Sequence, residues 1–317
     1  MKKRYVIPCV CAGGLLAVLC VSSLKMAEFG MGIKRQTLQE AYQWQKTHED
    51  VRFGDDLEKT EYTVRSFDGY VLHAVLCRDP GKAASGTDRV GSGKYVIISH
   101  GYTDNRYGAL KYMKIYLDRG YSCIIYDLRG HGKNEETFCT YGIREGKDLN
   151  ALIEDSFRRY GDDIELGLHG ESLGSATTIS ALGELKNPEK IRFAVADCGF
   201  ADIKNVMLGG LSQMHVPKFM FYTASIAAKI RSGYAMTDMN PIDALKDNQV
   251  PVCFIHGEED SFILPDNSRR MQEADPGYSE LHIVPDAGHA ESVLKHPKLY
   301  RRIVNDFLDK VESGSFQ

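Results

Sequence analysis

A serine between two glycines is the first sign of chemistry in this sequence. The segment Gly170-Glu171-Ser172-Leu173-Gly174 follows a short apolar stretch, residues 164–168, and precedes a run typical of a helix, residues 175–182. Glycines at both flanks suit a turn that is too tight for side chains. The pattern therefore predicts that Ser172 is a nucleophile, held in a strained backbone conformation at the end of a strand.

A serine hydroxyl needs a base, and the base needs a group that orients it. When the serine lies on such a turn, the acid and then the histidine follow it along the chain. Asp260 lies in the loop after an apolar strand, and His289 follows the next strand. These two residues are the predicted acid and base, although Glu258 and Glu259 are rivals that the sequence does not exclude.

Several other polar residues also lie at predicted strand ends. Asp127 precedes the nucleophile and Asp197 follows it by only one strand, so both come too early in chain order to be the acid. Four histidines each precede a glycine, and we expect them to shape loops rather than transfer protons: His100, His131, His169 and His256.

The elements that must position these residues alternate along the chain. Short apolar strands and helical segments follow one another from residue 95 onward, which predicts an α/β fold with a mostly parallel sheet and helices on both faces. A hairpin signal, Phe67-Asp68-Gly69, adds antiparallel strands at one edge. Residues 203 to about 247 interrupt the alternation with apolar helical sequence. We interpret this stretch as a cap inserted above the carboxyl ends of the strands.

With these residues in view, the chain resembles the α/β-hydrolase superfamily over residues 61 to 311. The resemblance rests on the Ser172 turn, on His100-Gly101-Tyr102, on the loop from Asp127 to Gly132, on the loop from His256 to Pro265 and on Gly288-His289. It is closest to membrane-anchored bacterial hydrolases that resemble monoacylglycerol lipases and the catalytic domains of prolyl-oligopeptidase-type peptidases.

The resemblance implies a role for each matching residue. It makes Ser172 the nucleophile, Asp260 the acid and His289 the base, and it assigns the oxyanion hole to the backbone N–H groups of Tyr102 and Leu173. No metal or organic cofactor is implied. The chain departs from the lipase pattern at Glu171, where a histidine is common, and this departure bears on the substrate more than on the chemistry.

The N-terminus differs from the rest of the chain. Basic residues Lys2, Lys3 and Arg4 precede an uncharged run from Tyr5 to Leu24, which as a helix rising ~1.5 Å per residue would span a hydrocarbon core of ~30 Å. A retained signal anchor over residues 1–30 is our interpretation, with a cleaved signal peptide as the alternative. A buried core helix is the third option, which Pro8, Gly13 and Gly14 disfavour. Residues 31–60 would then be a juxtamembrane helix and linker, and residues 61–317 the hydrolase domain, outside the cytoplasm.

Composition excludes some partners and leaves others. The net charge of −4 and the isoelectric point near 6.2 argue against nucleic acid as a partner. The eight cysteines show no paired Cys-x-x-Cys spacing, which argues against a zinc site. We expect the five after residue 30 to be buried as small apolar residues.

The sequence thus predicts a serine hydrolase that cleaves a small carboxylic ester through an acyl-enzyme. A peptidase is the enzymatic alternative, and a non-catalytic binding protein on the same fold is the third possibility. If the apolar residues of the inserted cap face the substrate, medium acyl chains should be preferred over acetyl.

Overall fold

The strands of the protein form one mixed sheet. We describe a computed structural model over residues 3–48, 51–83 and 93–315. In this part of the chain the sheet has eight strands. They are β1 (Glu58–Arg65), β2 (Val71–Arg78), β3 (Lys94–Ser99), β4 (Tyr121–Tyr126), β5 (Glu165–Glu171), β6 (Ile191–Asp197), β7 (Val252–Gly257) and β8 (Ser279–Val284).

The strands lie in the order β1-β2-β4-β3-β5-β6-β7-β8. The β1–β2 hairpin is antiparallel and pairs antiparallel with β4, whereas every pair from β4 to β8 is parallel. All residues of β4 and β7 are buried, which is why these strands are almost continuously apolar rather than alternating. The predicted parallel sheet with an antiparallel hairpin at one edge is therefore confirmed.

The helices connect these strands and cover the sheet. They are α1 (Lys3–Met31), α2 (Leu38–His48), α3 (Pro80–Ala83), α4 (Leu110–Asp118), α5 (Ile143–Tyr160), α6 (Leu173–Leu182), α7 (Ile203–Gln213), α8 (Phe219–Ser232), α9 (Asp266–Ala274), α10 (Ser292–Lys295) and α11 (Pro297–Ser313). Short 3₁₀ helices cover Arg52–Asp55, Arg106–Ala109, Pro188–Lys190, Met236–Asp238 and Pro241–Leu245.

The main core lies between the sheet and two of these helices. Tyr116 of α4 and Phe307 of α11 both contact the ring of Phe193 on β6, at 6.1 Å and 6.4 Å between ring centroids. Fully buried aromatic side chains of this size remove a large apolar area from water. Helices α5 and α6 pack against each other and cover the other face, so the central strands are shielded from solvent on both sides.

Contacts divide the chain into two compact units. The sheet unit comprises Ile33–Asp202 and Asn240–Gln317, and the helical unit comprises Met1–Gly32 and Ile203–Met239. The helical unit thus contains most of the predicted cap, together with the N-terminal helix. Within it, α1 packs along α8, and Ala27 and Met31 of α1 are buried.

The predicted anchor falls within α1, but only part of it is described. The helix backbone is continuous from Lys3 to Met31, whereas the side chains up to residue 13 and at residue 15 lie outside the described part. No helix among the described residues is both long enough and apolar enough to cross a membrane.

The five cysteines after residue 30 are free thiols inside the protein. Each is buried and none is in a disulfide: Cys77, Cys123, Cys139, Cys198 and Cys253. Burial raises the thiol pKa of all five above the ordinary value. They therefore behave as small apolar residues that fill the core, as the sequence predicts.

Candidate active site

The turn that carries Ser172 joins β5 to α6 with little space to spare. Ser172 has φ 54° and ψ −112°, a conformation that is costly for a residue with a side chain. A Cβ added to Gly170 would lie 2.1 Å from the carbonyl oxygen of Gly174, and one added to Gly174 would lie 2.1 Å from that of Ser99. Only glycine fits at both flanks, so the predicted strained turn is present.

The hydroxyl of Ser172 meets the ring of His289. Ser172 Oγ lies 2.9 Å from His289 Nε2, and His289 Nδ1 lies 2.7 Å from Asp260 Oδ2. His289 is in the loop after β8, and Asp260 is in the loop after β7. The structure therefore brings together the three residues that the chain order predicts, in the expected sequence of contacts.

The surroundings of Asp260 determine the charge of its carboxylate. Its Oδ1 accepts the N–H groups of Phe262 and Ile263 at 3.0 Å and 2.8 Å. Burial opposes ionisation, but hydrogen bonds from His256, His289 and the backbone outweigh it and hold the pKa of Asp260 below its usual range. The carboxylate is therefore ionised at neutral pH.

An ionised Asp260 in turn fixes the tautomer of His289. A carboxylate can only accept hydrogen bonds, so the proton of the neutral imidazole must be on Nδ1. Nε2 then presents its lone pair to Ser172 Oγ. This is the arrangement that a general base for a serine requires.

His256 supports the acid from behind, a contact that sequence analysis missed. Its Nε2 lies 2.7 Å from the carbonyl of Ile263 and 3.2 Å from Asp260 Oδ2, and its Nδ1 lies 2.7 Å from Ser268 Oγ. Because both neighbours of Nε2 are acceptors, Nε2 carries the proton and Nδ1 accepts from the serine. The spacing of four residues between His256 and Asp260 was the available signal.

The rivals for the role of acid lie elsewhere. Glu258 and Glu259 are exposed, whereas Asp260 is buried next to His289. Asp127 is buried in an ion pair with Arg106 and also accepts the Lys133 N–H at 2.9 Å. These contacts stabilise the loop after β4 and do not reach Ser172.

The other three histidines take part in structural contacts, as expected from the sequence. His100 Nε2 accepts the Leu128 N–H at 2.9 Å, and the two ring nitrogens of His131 lie 2.7–2.8 Å from the carbonyls of Tyr102 and Arg129. His169 is buried against the hydroxyl of Tyr116 at 2.7 Å, and burial lowers its pKa to about 3. A histidine that stays neutral in this way does not transfer protons near neutral pH.

The segment predicted to supply one oxyanion donor lies beside the nucleophile. A Cβ added to Gly101 would lie 3.8 Å from Ser172 Cβ, so the loop His100-Gly101-Tyr102 approaches the turn closely. Leu173 is the first residue of α6, where backbone N–H groups have no partner within the helix. The assignment of the oxyanion hole to Tyr102 and Leu173 stays a prediction.

Beneath the turn lies a buried charge cluster that the sequence did not reveal. The Glu171 carboxylate forms an ion pair with Lys111 and accepts a hydrogen bond from the Tyr112 hydroxyl, and the side chains of Lys111 and Glu171 are 4% and 8% exposed. The Tyr112 hydroxyl also lies 3.1 Å from Asp197 Oδ2. Glu171 thus occupies the position before the serine at which the lipase pattern commonly has a histidine, and Lys111 is its counter-ion.

Two further carboxyls make Lys111 the centre of this cluster. Burial and then repulsion from Glu171 raise the pKa of Asp197 to about 6. Burial likewise raises the pKa of Asp104 to about 6, with a smaller contribution from Glu171. Burial alone would lower the pKa of Lys111, but its attraction to Glu171 outweighs this and raises it. The lysine therefore compensates negative charge that is removed from water.

The fold and these contacts define an α/β-hydrolase. Residues 108–313 match the prolyl oligopeptidase family, and the chain belongs to it. The Bacillus subtilis protein YqkD is 27% identical over 307 residues, which are 96% of this chain and 97% of that protein.

Solved structures share the fold. An esterase from Pyrococcus furiosus aligns with a TM-score of 0.62 at 23% identity, over 80% of this chain and 91% of that chain. An esterase from Thermogutta terrifontis aligns with a TM-score of 0.53 at 16% identity, over 80% and 99% of the two chains. At these identities the likeness extends to the fold only.

Lys111→Met should destabilise the protein strongly, by about 3–5 kcal/mol, because it leaves the buried Glu171 carboxylate without its counter-ion. The double variant Lys111→Met/Glu171→Gln should recover most of that loss, since it removes both charges. Urea denaturation of the wild type, both single variants and the double variant measures the coupling. Additive effects of the two substitutions would contradict the assigned ion pair.

Proposed function

We propose that the protein is a serine hydrolase that cleaves carboxylic esters through an acyl-enzyme intermediate. The observation that carries the proposal is the line of contacts from Ser172 Oγ through His289 to Asp260, at 2.9 Å and 2.7 Å. The strained backbone of Ser172 adds support, because nucleophilic serines on strand-to-helix turns have this conformation.

The mechanism follows from the protonation states of these groups. Nε2 of His289 takes the proton of the Ser172 hydroxyl as the oxygen attacks the ester carbonyl, and the imidazolium is stabilised by the Asp260 carboxylate. His289 then returns the proton to the departing alkoxide. Water repeats the cycle on the acyl-enzyme and releases the acid. Backbone N–H donors on the developing oxyanion contribute about 3 kcal/mol each, and we assign them to Tyr102 and Leu173.

Both ester and peptide cleavage are compatible with this machinery. The family match favours a peptidase by name, whereas the similar solved structures quoted above are esterases. Aromatic rings around the site favour an ester with an apolar group. The ring of Phe262, 66% exposed, lies 5.1 Å from the His289 ring, and Tyr102 stacks on Tyr141. Such surfaces bind carbon-rich groups.

Ser172→Ala should abolish turnover, with kcat lower by roughly five to six orders of magnitude by analogy with other triads. Labelling by a fluorophosphonate probe should disappear with it, because the probe forms a bond to the serine oxygen. Thermal unfolding should show that the variant is still folded. Labelling of the wild-type protein also separates an enzyme from a non-catalytic binding protein, which would remain unlabelled.

Asp260→Asn should lower kcat by up to ~10⁴-fold, because an amide in this position can stabilise the wrong tautomer of His289. Glu259→Gln is the matched control: it makes the same chemical change one residue earlier, at an exposed side chain. Its kcat should stay near that of the wild type. If Glu259→Gln lost activity while Asp260→Asn kept it, the acid would be Glu259 and not Asp260.

The substrate class is tested by a panel of p-nitrophenyl esters of rising acyl length, run beside aminoacyl p-nitroanilides. We expect kcat/KM to be higher for esters, and higher for medium acyl chains than for acetyl by roughly one to two orders of magnitude, given ~0.8 kcal/mol per buried methylene and incomplete burial. Preferential cleavage of the anilides would make the protein a peptidase. A preference for acetyl would reject the predicted acyl-chain specificity but not the triad.

A further inference from the structure

One face of α8 exposes a row of large apolar side chains. Phe219, Tyr222, Ile226 and Ile230 are spaced by three or four residues, so they lie on the same side of the helix. Their side chains are 55%, 46%, 61% and 81% exposed. We call these four residues the α8 face. Surface helices normally turn such a row inward, and an exposed row of this size marks an interaction site.

The opposite side of α8 is already occupied. Phe221, Ala224, Ala227 and Ala228 are buried, and α8 packs along α1 in the helical unit. The exposed row is therefore distinct from the side of α8 that packs against the rest of the helical unit. It is a second apolar face on a helix whose first apolar face is satisfied.

The segment that carries the α8 face has charges of one sign, and the acidic residue recorded beside it is Glu28 of α1, 4.0 Å from Arg231. Residues 203–237 contain Lys204, Lys218, Lys229 and Arg231 and neither Asp nor Glu, although the whole chain carries a net charge of −4. Lys218 and Lys229 lie next to the row on the helix surface, and the Lys204 ammonium lies 5.7 Å from the centre of the Tyr222 ring. Long basic side chains beside an apolar row suit the boundary between acyl chains and anionic headgroups.

The partner helix of α8 continues this character. The described part of α1 exposes Leu16, Val18, Val21, Leu24 and Phe29. Between residues 5 and 24 it has no charged residue at all. These exposed side chains lie on the helix that packs along α8. Both helices of the pair therefore present apolar side chains that the described part of the chain leaves exposed.

We propose that the α8 face docks on the surface of a lipid bilayer that contains anionic phospholipids. The four apolar side chains enter the headgroup–acyl boundary, and Lys204, Lys218 and Lys229 contact the phosphates. This role is additional to the proposed hydrolysis and does not depend on it.

The experiment uses the full chain, which has a single tryptophan, Trp44, in α2 of the sheet unit. In a Trp44→Phe background, Ile226→Trp places the only indole on the α8 face. Phe67→Trp in the same background is the control, because Phe67 is a comparably exposed apolar residue, 51%, in the sheet unit. Each variant is mixed with vesicles of phosphatidylcholine and phosphatidylglycerol whose acyl chains are brominated, and tryptophan emission is recorded.

With these vesicles, the Ile226→Trp reporter should shift to shorter wavelength and be quenched, while the Phe67→Trp reporter should not change. Adding Lys218→Gln/Lys229→Gln to the Ile226→Trp variant should weaken the quenching, since each basic residue contributes ~1 kcal/mol at an anionic surface, roughly fivefold in partitioning. Fluorophosphonate labelling of each variant reports separately on the hydrolase site.

Two results would overturn the proposal. In the first, the protein sediments with the vesicles but the Ile226→Trp emission does not change. The protein would then bind the vesicles through α1 and not through the α8 face. The other is a blue-shifted Ile226→Trp emission without lipid, accompanied by a dimer in analytical ultracentrifugation. That result would assign the α8 face to a contact between two copies of the chain.

Discussion

Ser172 is held at a positive φ angle by backbone packing on both sides, and the geometry of the site depends on this constraint. The Ser172 N–H donates to the Asp197 carbonyl at 2.8 Å, and the Ala176 N–H closes the first turn of α6 on the Ser172 carbonyl at 3.0 Å. Such a backbone conformation costs on the order of 1–3 kcal/mol, and it persists because these hydrogen bonds and the close packing fix the backbone on both sides of Ser172. The hydroxyl is thereby directed to His289 Nε2.

The same site requires buried charges that cancel one another. Asp260 is ionised because its carboxylate accepts four hydrogen bonds. The donors are the rings of His256 and His289 and the backbone N–H groups of Phe262 and Ile263. Beneath the turn, Lys111 faces the Glu171 carboxylate, and burial, with a smaller contribution from Glu171, raises the pKa of Asp104 and of Asp197 to about 6. Buried ions are tolerated only when they are paired and hydrogen-bonded in this way. The region behind the nucleophile is therefore polar and ordered rather than a simple apolar core.

Short-range patterns were enough to predict much of this protein. The strand–turn–helix around Ser172 and the alternating strands follow from local sequence, because each pattern is set by neighbouring residues. The order of nucleophile, acid and base spans 117 residues and was predicted from the chain order that accompanies such a turn. The choice of Asp260 over Glu258 and Glu259 could not be made locally. It depends on which carboxylate the loop after β7 turns inward.

Contacts between distant parts of the chain could not be predicted from local sequence patterns. Lys111 looks like one of many lysines on an amphipathic helix, and only the fold places it against Glu171, sixty residues away. The pairing of α1 with α8 is equally hidden, since it joins the N-terminus to residues after 200. Apolar composition indicates that a helix needs a partner, but it does not identify the partner.

The order of strands in the sheet also has a consequence for biosynthesis. From β5 to β8 the strands lie side by side in the order in which they are translated, with β8 at the edge. Each new strand can add to the sheet already formed without displacing an earlier one. Because the loop after β8 carries His289, the ribosome must synthesise all eight strands of the described sheet before Ser172 gains its histidine partner. A nascent chain that stops before β8 therefore has the strained serine turn without the contact from Ser172 to His289.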